Sequence, residues 1–196
     1  MRWVVTVPAV LILTACSGGT SPGAGPSPRP GEAVAGHAGQ AAHVVALSGG
    51  GEFTKKGPAA IVYDHKLAPE GAQASLTVES QGGKTVSSLV VEGFLPDRAY
   101  GAHLHTKPCA ADPDAAGPHY QQHHHDPASH GATAANEVWL DLTTDESGSG
   151  RATARNAWSL DPNRLPRSLV IHAQRTTSAG PNAGTAGPRV TCMTLR

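Results

Sequence analysis

Short runs of alternating apolar and polar residues constrain the fold of this chain more than any other feature. In the run 74–79, Ala74, Leu76 and Val78 alternate with polar residues. Because residues two apart point to the same face of a β-strand, this run predicts a strand with one buried face. The turn residues 81–84 (QGGK) follow, and a second apolar run, 85–92, leads back. This pattern is typical of antiparallel strands joined by a tight turn.

Similar strand-like runs follow one another at short intervals along the chain: 43–47, 59–64, 74–79, 85–92, 99–106, 137–143, 151–158, 168–173 and 189–195. The chain has 23 Gly and 16 Pro, with aromatic residues at 4%, which argues against a helical bundle. We therefore predict an all-β fold, an antiparallel β-sandwich or flattened barrel of about eight strands. Two long irregular stretches, 107–135 and 174–187, join strands, and loops of that length are usually functional.

The N-terminal segment indicates export. Residues 1–15 combine Arg2 with an apolar stretch that is too short to span a membrane, as in a secretory signal peptide. The residues before Cys16 (LTA) resemble a bacterial lipobox, in which cleavage leaves a lipidated Cys16; the alternative is an ordinary signal peptide with a stray cysteine. Residues 16–40, rich in Gly, Pro and Ser, are expected to form a flexible linker, and 41–196 the folded domain. We predict an extracytoplasmic protein held to the membrane by its lipid.

Histidine is the compositional outlier. The formal net charge is zero, so nothing points to a nucleic-acid partner, but there are 11 His. His103 and His105 are two apart in a predicted strand and therefore share a face. Gly117-Pro118-His119 is a turn that delivers a third imidazole, and the run 168–173 carries a fourth, His172. Three or four imidazoles without a thiolate suit copper, zinc or nickel.

These segments resemble the copper/zinc superoxide dismutase family. The HLH at 103–105 looks like that family's HxH copper pair, and the GPHY at 117–120 like its GPHF turn. The LVIHA at 169–173 looks like the strand with the last copper ligand, and the AGPRVTC at 186–192 like the family's AGPRxxC end. Each motif alone is weak, but they occur together in the family's order, over roughly residues 40–196.

The resemblance implies a Greek-key β-sandwich with a copper site and a disulfide. The copper ligands would be His103, His105, His119 and His172. Cys109 lies between the HxH and GPH motifs, so the family pattern pairs it with Cys192. That pairing would account for the odd number of cysteines if Cys16 is lipidated.

The resemblance also implies the chemistry. It predicts dismutation of superoxide to O2 and H2O2 at a single copper that accepts an electron from one superoxide and returns it to another. Arg189 would hold the anionic substrate, although it could instead be a surface residue before a strand. His119 would take up and release a proton. Two alternatives are a non-catalytic copper-binding or copper-buffering lipoprotein on the same fold and an inert cell-envelope interaction module.

The zinc site of the two-metal family members is incomplete in this sequence. That site uses the bridging His, two further His and an Asp. His119 and His130 match the first two of these positions, but counting back from the turn at 148–150 places Ala135 and Val138 at the other two. Since structural zinc usually has four protein ligands, we expect copper without zinc.

Several loop residues have more than one interpretation. His123–His125 is either a solvated tract or a weak, exchangeable metal site. Asp126 and Asp141 could replace missing zinc ligands; Asp141 could instead face solvent or hydrogen-bond a ligand His. The loop 174–187 carries only Arg175 as a charge and contains no Asp, with Asn182 its nearest equivalent. This composition predicts weak long-range attraction of an anion.

Overall fold

The hairpin predicted at 74–92 is present in the computed structural model, which describes residues 44–57, 59–123 and 132–196. Strand β3, Gln73–Gln81, pairs with β4, Lys84–Glu92, in antiparallel register. Gly82 and Gly83 form the turn with φ of 57° and 76°, a conformation that glycine adopts without steric cost and that matches the twist of a two-residue hairpin. Along β3, buried and exposed residues alternate strictly, as the sequence pattern requires.

Nine strands form two antiparallel sheets in the described part of the chain. Besides β3 and β4, they are β1 Val45–Glu52, β2 Ala60–Val62, β5 Ala99–His105, β6 Leu142–Thr143, β7 Gly150–Asn156, β8 Ser168–His172 and β9 Arg189–Thr194. The strand order is β1-β3-β4-β7 in one sheet and β2-β9-β8-β5-β6 in the other. This arrangement is consistent with a Greek-key sandwich that does not close into a barrel, which confirms the predicted fold class.

The main hydrophobic core draws side chains from both sheets. The first sheet contributes Leu76, Val78, Leu89 and Val91, and the second contributes Tyr100, Ala102, Leu104, Leu169 and Ile171. Since side chains alternate along a strand, the inward Ala102 and Leu104 leave His103 and His105 on the outer face of the second sheet. The fold therefore places the paired imidazoles outside the core.

The predicted strand at 137–143 is only partly correct. Regular pairing is limited to β6, while Trp139 and Glu137 make isolated bridges to His103 and Gln121. The alternation nevertheless holds, because Val138, Leu140 and Leu142 are all buried. Separate contacts to β5 and to the preceding loop replace a continuous ladder.

The long loops carry little regular structure. A 3-10 turn, Pro113–Ala116, lies between β5 and β6, and the segment between β8 and β9 contains turns only. No helix in the described residues is long and apolar enough to cross a membrane. The described residues belong to one compact unit, Gln40–Arg196. The predicted signal peptide, Cys16 and linker lie outside them and stay predictions.

Candidate metal centre

Four histidines converge on the outer face of the second sheet. His103 and His105 project from β5, and both are completely buried beneath the loops. His172 ends the neighbouring strand β8, where Gly101 is its cross-strand partner. One nitrogen of each of the four His residues, His103, His105, His119 and His172, lies within 4.8 Å of the others. The structure thus brings together the four predicted ligands.

His119 reaches the cluster because its loop runs back along β5. Thr106 N donates to Pro118 O at 3.1 Å, and Tyr120 N donates to Leu104 O at 2.7 Å. These bonds on either side of His119 place it opposite His105. Its side chain keeps 19% exposure, so His119 is the most accessible of the four.

Backbone carbonyls fix the orientation of two of the imidazoles. His105 Nδ1 lies 2.9 Å from Gly117 O, and His172 Nδ1 lies 3.1 Å from Gly187 O. A carbonyl only accepts, so each Nδ1 must donate its proton. A neutral imidazole has one N–H, and both Nε2 atoms therefore keep a free lone pair. Those two Nε2 atoms are 3.5 Å apart.

Glu137 fixes the third imidazole and was missed by the sequence reasoning. Its Oε2 lies 2.8 Å from His119 Nδ1 and accepts from Trp139 Nε1 at 2.8 Å, while its Oε1 accepts from Gln121 Nε2 at 2.7 Å. Only 1% of Glu137 is exposed. The sequence could have predicted its position, because alternation with the inward Val138 puts Glu137 on the face that carries the histidines.

The three donors also decide the charge of this buried carboxyl. Burial by itself raises the pKa of Glu137, but the hydrogen bond and charge of His119, together with the Trp139 and Gln121 bonds, outweigh it. The pKa of Glu137 consequently lies below its usual value. Glu137 is therefore a buried carboxylate at neutral pH, with its charge directed at His119.

The fourth imidazole has the opposite orientation. His103 Nε2 lies 2.7 Å from the hydroxyl of Thr176, a residue of the loop between β8 and β9. His103 Nδ1 is buried and has no hydrogen-bond partner among the described residues. A buried polar nitrogen without a partner requires an explanation, and a metal ion held with the three free Nε2 atoms would supply one.

Burial keeps three of the four imidazoles in the unprotonated form that metals bind. It lowers the pKa of His103 far below its ordinary value, with smaller contributions from the neighbouring imidazoles. Burial likewise lowers the pKa of His105 to about 2 and that of His172 to about 4. At neutral pH these rings are uncharged, so the donor set fits a metal ion that prefers imidazole nitrogen.

Arg189 borders the same site. It is the cross-strand partner of His172 at a register shift between β8 and β9. Its Nη1 donates to Pro113 O at 2.6 Å and its Nη2 to Gly117 O at 2.8 Å. Each Nη carries two protons, so both retain a second N–H. Arg189, His119 and His172 line one open cleft of about 540 Å³.

The disulfide between Cys109 and Cys192 joins the loop after β5 to strand β9. Cys109 N also donates to Thr194 Oγ1 at 3.1 Å. This confirms the predicted pairing. The bond holds the start of the loop that ends in Gly117 and His119.

The family comparison agrees with this geometry. The sequence profile described as "Copper/zinc superoxide dismutase (SODC)" matches residues 71–195. The chain belongs to the copper/zinc superoxide dismutase family. The confirmed resemblance thus extends from β3 to β9 and includes all four histidines, both paired cysteines and Arg189.

Similarity to individual proteins is more distant. The chain is similar to the solved structure described as "Crystal Structure Analysis of the clock protein EA4", with 21% identity and a TM-score of 0.51. The match covers 76% of this chain and 92% of that one. At this identity the likeness shows the fold alone. No curated protein matches the chain.

The zinc region of the family differs here in visible ways. Val138 is buried in the main core, and the carbonyl of Ala135 accepts from Trp158 Nε1 at 2.7 Å. Glu137 is hydrogen-bonded to His119 Nδ1, so that nitrogen is not free to bind a second metal. The four-histidine group is the one metal-binding cluster found among the described residues. His124, His125, Asp126 and His130 lie outside those residues.

The loop between β8 and β9 is also unlike the family pattern. Its single charge, Arg175, donates from Nη2 to Thr143 Oγ1 at 3.1 Å. Asn182 contributes its carbonyl to a local turn with Thr185. Thr176 is instead the loop residue whose side chain contacts a ligand candidate. No local sequence signal predicts this role, since it depends on how the loop docks on β5.

Proposed function

We propose that this chain is an extracytoplasmic superoxide dismutase that uses one copper ion. The observation that carries the proposal is the group of four converging imidazoles, three of them buried and uncharged, each with one nitrogen hydrogen-bonded by the protein. His103 would contribute Nδ1, and His105, His119 and His172 would contribute Nε2. Bound copper would supply the alternating one-electron oxidation and reduction that dismutation requires.

The residues around the imidazoles suit an anionic substrate that must receive protons. The fixed positive charge of Arg189 lies at the cleft and attracts superoxide, and its remaining N–H groups can hold the anion. His119, the most accessible imidazole, can take a proton at Nε2 because the Glu137 carboxylate at Nδ1 balances the resulting positive charge. The proposal thus assigns anion binding to Arg189 and proton transfer to His119.

A copper-only site follows from the same contacts. Glu137 performs the orienting role at His119 that zinc has in two-metal members, and the expected ligand positions hold Ala135 and Val138. We expect one copper and no stoichiometric zinc per chain in metal analysis after dialysis. His103→Ala and His172→Ala should each lose the copper. Full copper retention in both variants, or one retained zinc per chain, would contradict this assignment.

The decisive test of catalysis is the rate of superoxide decay in pulse radiolysis. Copper-loaded wild type should accelerate decay, and Arg189→Ala should slow it markedly while keeping its copper. The rate should depend only weakly on salt, since the loop between β8 and β9 carries one charge and steering depends on unscreened charges. Arg175→Ala, which removes the single charge of the loop between β8 and β9, is the matched control and should have little effect.

A non-catalytic copper-binding role is the second candidate. It is favoured by the small uncharged side chains that line the cleft, Ala132, Ala183 and Ala186, which offer a substrate no further recognition. Copper-loaded protein that leaves superoxide decay at the rate of buffer would establish this candidate and reject the enzyme.

Lipidation of Cys16 completes the proposal for location. Residues 17–40 would then separate the folded domain from the membrane surface. Since one acyl chain binds a membrane only marginally, stable attachment needs two or more. Cys16→Ser should release the protein from the membrane fraction, with Cys109→Ser as the control that keeps the lipid. Unchanged membrane retention of Cys16→Ser would indicate another anchor.

A further inference from the structure

Three of the four imidazoles have partners that can only accept, but His103 does not. Its Nε2 contacts the hydroxyl of Thr176, which can donate or accept a hydrogen bond. If the hydroxyl donated, His103 would carry its proton on Nδ1, and no lone pair would face the other three nitrogens. The direction of this single hydrogen bond therefore decides whether His103 can be a ligand.

Asp141 determines that direction. Its Oδ2 accepts from Thr176 N at 2.8 Å, and its Oδ1 lies 2.5 Å from Thr176 Oγ1. A carboxylate only accepts, so the one hydroxyl proton of Thr176 must point to Asp141. The Thr176 oxygen is then left to accept from His103 Nε2. This places the proton on Nε2 and the lone pair on Nδ1, the buried nitrogen without a partner.

The threonine reaches this position because its loop packs directly against β5. Gly101 on β5 has no side chain, and a Cβ there would lie 3.0 Å from Thr176 Oγ1 and 2.7 Å from Gln174 O. The loop can therefore lie directly against β5 only because residue 101 is a glycine. Thr176 itself is buried, so water does not compete freely for its hydroxyl.

We propose that Asp141, acting through the Thr176 hydroxyl, selects the His103 tautomer whose Nδ1 is free to bind the metal. Asp141 and Thr176 are positioning residues, since neither reaches the metal site itself. The inference rests on the proposed role of His103 as a ligand and goes beyond it, because it explains how that role is enforced.

The sharpest variant is Asp141→Asn. The backbone N–H of Thr176 can only donate, so the amide oxygen must face it and the amide NH2 must face the Thr176 hydroxyl. The hydroxyl would then turn and donate to His103 Nε2. In metal-free protein, long-range ¹H–¹⁵N correlation should show His103 as the Nε2–H tautomer in wild type and as Nδ1–H in Asp141→Asn. The His103 signals are identified by their loss in His103→Gln.

Copper affinity, measured by competition with a chelator, gives an independent readout. Asp141→Asn should weaken copper binding about 10- to 100-fold, the usual effect of losing a partner of a ligand His. Thr176→Val should weaken it less, because it removes the hydroxyl without imposing the wrong tautomer. The double variant should resemble Thr176→Val, and Thr176→Ser should bind like wild type.

Matched controls are Thr177→Val, the exposed neighbour in the same loop, and Asp161→Asn, an exposed turn residue; neither should change affinity or tautomer. The proposal is overturned if His103 keeps the Nε2–H tautomer in Asp141→Asn. It is also overturned if the affinity losses of Asp141→Asn and Thr176→Val add in the double variant, or if Thr176→Ser binds copper as weakly as Thr176→Val. The serine and valine variants decide the matter even if Asp141→Asn fails to fold. A wild type with the Nε2–H tautomer but no copper binding would reject the proposed function alone.

Discussion

At the scale of single residues, Glu137 shows how a buried charge can be kept without a metal beside it. One oxygen faces His119 and Trp139, and the other faces Gln121, so both have donors. Burying a carboxylate without such donors would carry a large desolvation penalty. Glu137 therefore depends on its three neighbours for its charge, and they depend on it for an acceptor.

Replacing Glu137 by Leu should destabilise the protein by about 3 kcal/mol or more, since each of the three donors left without a partner costs about 1–3 kcal/mol. Glu137→Gln should cost much less, because the Gln121 amide can turn and present its oxygen. The measurement is denaturant unfolding of the metal-free protein. Glu79→Leu, on the exposed face of β3, is the control and should stay within about 0.5 kcal/mol. Equal losses for Leu and Gln at position 137 would contradict this account.

Residue identities at the cluster were largely predictable from the sequence, because the HLH, GPH and VIH motifs each contain their histidine. The partners of those histidines were not. Thr176 and Gly187 lie in a loop without regular structure, and their contacts depend on how that loop docks on β5. The role of Asp141 could not be predicted for the same reason. Its neighbours in the predicted strand indicate which face it lies on, but not which loop covers that face.

At the scale of elements, the loop that runs from the end of β5 through the 3-10 turn to His119 connects several parts of the site. The carbonyl of Gly117 accepts both from His105 Nδ1 and from Arg189 Nη2. The disulfide at Cys109 holds the beginning of this loop against β9. A displacement of the loop would therefore disturb a proposed ligand and the arginine proposed to bind the anion.

Removing the disulfide with Cys109→Ser and Cys192→Ser should lower the free energy of unfolding by about 4.5 kcal/mol in the chain-entropy model, given the 83-residue separation. It should also weaken copper binding, because His105 loses a fixed acceptor. Thermal unfolding and chelator competition test the two effects. As a control, reducing agent should lower the stability of wild type and leave the double variant unchanged. Unaltered copper affinity in the variant would show that the loop holds its position without the bond.

Element types were easier to predict from the sequence than element continuity. The hairpin of β3 and β4 follows from strict alternation and a Gly-Gly turn, both local properties. The segment 137–143 has the same alternation, yet only Leu142–Thr143 pairs regularly. Its earlier residues bridge to β5 and to the preceding loop at single points, and alternation cannot distinguish such bridges from a ladder.

At the scale of the whole molecule, the buried histidines make the stability of the metal-free protein depend on pH. The pKa of His172 is about 4 in the folded protein, below the ordinary value of 6.5. The unfolded chain therefore binds more protons than the folded one below pH 6.5, and stability is lost as the pH falls. His172 alone contributes up to about 3 kcal/mol of this loss, and His105 acts in the same direction.

Denaturant unfolding of the metal-free protein should thus show stability falling from pH 6.5 to 5, above the range where most carboxylates titrate. His172→Gln should flatten this part of the profile, whereas His65→Gln, at an exposed position, should leave it unchanged. A wild-type profile that is flat over this range would show that the cluster opens to solvent. Bound copper should raise the stability and keep or steepen the slope, since protons then compete with the metal.

The position of the histidines on the outer face of their sheet has a consequence for maturation. The main core lies between the sheets and contains none of the four imidazoles, so its formation does not require a metal. Folding and metal acquisition can therefore be separate events. If the chain is exported and binds copper as proposed, it can close its core and form its disulfide first, and then take up the ion in the compartment where it acts.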